Sequence, residues 1–134
     1  MGRFQVKVGI IGPENDRFEQ LNAWVDNRPG HMIVPATMLE RLGYTPTRRR
    51  YFILEDGGEA LLGTCKIAVR ISGQTRLVSC LFDEEDGEAR LGSNTLQTFN
   101  LEVNPADETL VPMMLRLRSF RLEGDEGKYV YSNN

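Results

Sequence analysis

The chain of 134 residues carries 40% hydrophobic and 26% charged residues, the make-up of one compact domain with enough apolar material for a core. Its formal net charge of −3 argues against nucleic acid as a partner, since a phosphate backbone requires a basic surface. No run approaches the ~18 apolar residues of a membrane span. The opening residues alternate without the apolar stretch of a signal peptide, so a cytoplasmic protein with no membrane partner is expected.

Arg3 to Ile11 alternates, placing Phe4, Val6, Val8 and Ile10 on one face of a half-buried strand. Gly12-Pro13-Glu14-Asn15-Asp16 is a loop of turn formers. Phe18 to Val25 then reads as a second strand, returning on the first as a hairpin and ending in Asp26. Arg28-Pro29-Gly30-His31 follows, with Pro and Gly in the positions of a type II turn. Met32 to Val34 is a short strand. Pro35 opens a helix with Ala36, Met38, Leu39 and Leu42 at helical spacing, and Gly43 closes it. Arg48-Arg49-Arg50 reads as a solvated basic edge ahead of a strand from Tyr51 to Leu54.

Glu55-Asp56-Gly57-Gly58 is a turn, and Ala60 to Leu62 leads into a strand from Thr64 to Ile71 with Cys65, Ile67, Val69 and Ile71 on one face. Ser72-Gly73-Gln74-Thr75 turns the chain into a strand from Leu77 to Phe82, which brings Cys65 and Cys80 close to opposite one another as diagonal neighbours. Without an export signal these are expected as buried thiols. The acidic run from Asp83 to Glu88 lacks the spacing of a calcium loop and reads as solvated. A short helix covers Asn94 to Phe99. Two short strands, Asn100 to Val103 and Thr109 to Pro112, flank an Asn104-Pro105-Ala106-Asp107 turn.

Residues 1–112 thus form one domain, and 113–134 read as an extension, an added strand or a disordered tail. Short strands, Gly-centred turns and two short helices make a mainly β barrel or sandwich. The single histidine, His31, is expected at the surface or in the turn. With no ligand-pair spacing among the cysteines, no metal site is expected, and no cofactor is called for.

Asp26 is the acid that the fold places. Taken by itself, an Asp at the end of a strand before a Pro-Gly turn caps nearby amides. The order of elements over about Arg3 to Pro112, however, resembles the retropepsin-like aspartic proteases, in particular the small bacterial single-domain members. The resemblance is carried by Trp24-Val25-Asp26, Ile33-Val34-Pro35, Leu39 to Gly43, Phe52 to Gly57, Ala89 to Gly92, Thr95 to Phe99, Val103-Asn104-Pro105 and Leu110-Val111-Pro112.

It implies a closed acid-protease barrel that pairs as a homodimer, each subunit contributing one catalytic acid, Asp26, to a dyad sharing one proton. It also implies a hairpin flap from Leu54 to Leu62 over a peptide or protein substrate, with Gly57 and Gly58 at the tip. The active loop departs from the family pattern. Where the family has Asp-Thr-Gly, this chain has Asp26-Asn27-Arg28. A guanidinium at Arg28 would lower the Asp26 pKa and oppose the shared-proton state, and Pro29 removes a backbone donor. Arg90 replaces an apolar residue, with the expectation that it disturbs packing beneath the loop. Two functions follow from the resemblance. One is an aspartic endopeptidase with Asp26 as acid and base, impaired by Asn27 and Arg28. The alternative is a non-catalytic dimer of this fold that binds a peptide or protein partner.

Overall fold

The computed structural model describes residues 4–26, 28 and 30–114. Its organising strand is β5 (Glu59–Ile71), thirteen residues long. Cys65, Ile67, Val69 and Ile71 alternate inward, all buried, as the sequence pattern predicts. β5 pairs antiparallel along its first half with β4 (Arg48–Ile53), and along its second half with β6 (Gln74–Asp83). The chain therefore bends one long strand between two partners. Ala60 to Leu62 belongs to this same strand, not to a separate lead-in. The three arginines likewise lie inside β4 and not before it. β4 is at the end of the sheet order, so its charged side chains can reach water while its backbone is paired.

β1 (Gln5–Ile11) and β2 (Phe18–Val25) form the expected hairpin, in register from Gln5 opposite Trp24 to Ile11 opposite Phe18. β1 also pairs with β5, Ile10 lying opposite Val69. β3 (Met32–Pro35) runs parallel to β6. A two-residue strand that the sequence does not announce, β7 (Arg90–Leu91), sits between β2 and β3. The seven-stranded sheet has the order β1-β2-β7-β3-β6-β5-β4, and the β1–β5 pairing closes it on itself. Inside lie Val8, Ile10, Met32, Val34, Leu39, Ile67, Phe82 and Leu91, each at most 1% exposed. Burial of such side chains contributes roughly 1.5–3 kcal/mol apiece against the entropy of ordering the chain.

Tyr44 fastens the closure. Its hydroxyl donates to the Ile11 carbonyl and accepts the Ala68 N–H at 3.1 Å, joining β1 to β5. Helix α1 (Ala36–Leu42) buries Ala36, Leu39 and Leu42. It ends at Gly43, whose φ of 105° lies in the left-handed region open to glycine. Pro35 offers α1 no side-chain cap. Asp86 supplies one from the acidic run, its Oδ1 accepting the Thr37 N–H and hydroxyl, each at 3.2 Å. That run is therefore a built turn as well as a solvated one, since Asp83 also accepts the N–H groups of Glu85 and Gly87.

Helix α2 (Ser93–Thr98) and the hairpin of β8 (Leu101–Asn104) with β9 (Thr109–Pro112) complete the described chain. Cys65 and Cys80 are directly opposed, not diagonal, and both are free, buried thiols. No helix among the described residues is long and apolar enough to cross a membrane. The expected extension of residues 113–134, apart from Met113 and Met114, lies outside the described residues, along with Asn27 and Pro29 of the loop after β2.

Candidate active site

The loop after β2 is set by backbone bonds. The Trp24 N–H donates to the Ala89 carbonyl at 2.9 Å, and the Asp26 N–H donates to the Leu91 carbonyl at 3.1 Å. The Asn94 N–H, at the start of α2, donates to the Gly30 carbonyl at 3.0 Å. Strand β7 thus holds the entry of the loop and α2 its exit. Asp26 sits between these anchors with its side chain 3% exposed.

Its carboxyl is engaged by arginine on both oxygens. Arg28 donates from Nε to Oδ1 at 3.0 Å and from Nη2 to Oδ2 at 2.9 Å, the bidentate fork of a guanidinium on a carboxylate. The Arg28 backbone N–H adds a third bond to Oδ1 at 3.1 Å. Arg90 Nη1 reaches Oδ2 at 3.2 Å. These hydrogen bonds, Arg28 foremost, hold the Asp26 pKa down at about 2 against the opposing effect of burial. A proton on this carboxyl would point at donors, so the geometry selects the anion.

Arg90 is the site residue whose placement the sequence does not reveal. Instead of disturbing the packing under the loop, it faces Asp26 as a second cation. The contact joins residues 64 apart in the chain, and it arises because β2 and β7 place Trp24 opposite Arg90. The only sequence signal was an arginine where the family pattern has an apolar residue.

In front of Asp26 opens a cleft of about 540 Å³, lined from the loop side by Arg28, Gly30, His31, Ile33, Leu81, Asp83 and Arg90, and from the β4–β5 hairpin by Phe52 to Glu55 and Leu62. His31 lies in the bend ahead of β3, within the turn as expected. It is half-buried, packs edge-on against Phe52 with ring centroids 5.4 Å apart, and its pKa is lowered by burial and by Arg50. Gly57 and Gly58 form the hairpin tip, where the Leu54 N–H donates to the Gly58 carbonyl at 2.7 Å and Gly57 has a φ of 88°. Arg28 also ties the loop to this hairpin, its Nη1 lying 3.3 Å from Glu55 Oε2. Among the described residues no cluster of His, Cys, Asp and Glu could hold a metal ion.

No protein-family model matches the chain, and no curated protein matches it. Solved structures do. The solution structure of the Simian foamy virus (mac) protease superposes with a TM-score of 0.52 at 16% identity, covering 70% of this chain and 92% of that one. EIAV protease complexed with an inhibitor gives 0.54 at 19% identity, covering 73% and 88%. The chain has a retropepsin-like fold. Identity this low carries the architecture and leaves the chemistry to the site itself.

Proposed function

We propose that this chain is a retropepsin-fold dimer that binds an extended peptide or protein segment across its cleft, with Asp26 held as a carboxylate and the shared-proton hydrolysis of the fold's proteases switched off. The observation that carries the reading is the bidentate Arg28–Asp26 pair, reinforced by Arg90. A dyad needs one carboxyl protonated and one ionised, whereas two symmetric copies of this loop would present two carboxylates, each neutralised by its own arginines. The cleft beside it keeps apolar walls from Ile33, Phe52, Leu62 and Leu81, which suit side chains of an extended segment.

Pairing of two copies is supported by the hairpin's exposed apolar face. Tyr51 and Ile53 alternate onto one side of β4, and Leu61 lies opposite Tyr51, yet they are 75%, 81% and 44% exposed. A contiguous apolar face open to water marks an interaction surface.

The endopeptidase reading, with one Asp26 from each subunit, is favoured by one observation of its own. Asp26 is buried at a strand end and faces a cleft, while Arg28 is 60% exposed on its side chain and could swing out if a partner displaced it. The two readings separate on binding without turnover. Fluorescence polarisation with a degenerate pool of labelled decapeptides should show saturable binding that Leu62→Glu weakens, with the peptides recovered intact. Absence of saturable binding, or binding indifferent to Leu62→Glu, would remove the cleft from the function.

A further inference from the structure

A second cavity, about 440 Å³, opens beside the cleft on the outer face of β4, β5 and β6. Strand geometry assembles its lining. Arg48 lies opposite Thr64, and Lys66 lies opposite Ser79. Alternation puts Arg50 on the same side of β4 as Arg48, and Lys66 on the same side of β5 as Thr64. Three cations and two hydroxyls therefore converge from three neighbouring strands.

Among the described residues no Asp or Glu lines this cavity, although acids outnumber bases in the chain, 19 to 16. Among the described residues, no ion pair engages Arg48, Arg50 or Lys66. Like charges gathered without a counter-charge repel one another, and an anion seated between them relieves that repulsion. His31 lines both this cavity and the cleft, so the basic cavity continues the path of any segment leaving the cleft on that side. Held toward its neutral form by burial and by Arg50, His31 offers a hydrogen bond at the junction without adding a fourth cation.

We infer that the segment bound in the cleft is acidic on this flank, with an Asp or Glu side chain seated between Arg48, Arg50 and Lys66 beyond His31. The inference rests on the peptide-binding reading of the cleft and adds the charge of the ligand to it. Carboxylates suit the site because the guanidinium forks can take them bidentately and the hydroxyls of Thr64 and Ser79 can donate to them.

The test uses the full chain and two degenerate pools of fluorescent decapeptides. They share the same random core and carry either Glu-Glu-Glu or Gln-Gln-Gln, placed at each end in turn. The Glu pool should bind about tenfold more tightly at low salt, the size of a few solvent-exposed ion pairs acting together. The gap should narrow as salt is raised. Arg50→Gln with Lys66→Gln changes exposed side chains only. It should abolish the gap while leaving the affinity for the Gln pool unchanged. Equal affinity for the two pools, or a gap that survives in the double variant, overturns the acidic preference alone. Failure of both pools to bind overturns the peptide-cleft reading and the preference with it.

Discussion

Replacing Arg28 by Met removes the fork on Asp26 while keeping a long apolar stem in the loop. In the wild-type fold Asp26 titrates at about 2 instead of 3.8. At ~1.36 kcal/mol per pH unit that difference approaches 2.4 kcal/mol. Arg28 is 60% exposed, and solvent screening reduces the stabilisation to about 1 kcal/mol. The folded pKa is depressed, so this stability is fully present above 3.8 and is lost as pH falls through about 2. In the variant the guanidinium fork is lost while the backbone N–H of residue 28 and Arg90 still face the carboxyl, and the Asp26 pKa should rise toward 3.8. Urea unfolding should then show the variant less stable by about 1 kcal/mol at pH 7, with the gap closing by about pH 2. A titration of the Asp26 carboxyl carbon by NMR reads the same shift directly. An Asp26 titration that is identical in both proteins, or a stability gap constant from neutral to acid, would refute the lock.

Tyr44→Phe should lower stability by about 1–3 kcal/mol, because the Ala68 N–H and the Ile11 carbonyl lose their shared partner at the seam of β1 and β5. Urea denaturation measures the loss, and hydrogen exchange should place the lost protection at Ala68. Asp86→Ala should cost about 1 kcal/mol by uncapping α1 at Thr37. The fraying it causes should appear as faster exchange in residues 36–39 and not in β5.

Much of the architecture was legible where one rule acted without competition. The alternation from Cys65 to Ile71 gave a strand with one buried face because β6 pairs with it without interruption from Thr64 to Ile71. Gly43 marked a helix end because the left-handed backbone at that position favours glycine. Other elements were obscured by their setting. β5 read as two pieces because Gly63 interrupts the pattern, and a side chain at that position would meet Pro46 at 2.8 Å. The arginines of β4 read as a solvated edge ahead of the strand because an edge strand exposes charges that a central strand would bury. β7 is two residues long, below the length at which any periodicity exists.

The candidate site divides in the same way. Arg28 beside Asp26 was visible because the contact spans two residues of sequence. Arg90 beside Asp26, and His31 between the two cavities, depend on strand pairings that only the folded sheet defines. Sequence could register Arg90 as out of place. It could not say that the misplaced cation faces the conspicuous acid.

Mass spectrometry of an unfolded protein incubated with this chain between about pH 3 and 7 tests the lock most directly. Wild type, Asp26→Asn and the Asn27→Thr, Arg28→Gly double variant would be compared. A locked Asp26 predicts no cleavage products from wild type or from Asp26→Asn; any cleavage gained should come only from the double variant. Cleavage by the wild type that Asp26→Asn abolishes would show that the arginines do not silence the carboxyl, and would make the chain an aspartic endopeptidase.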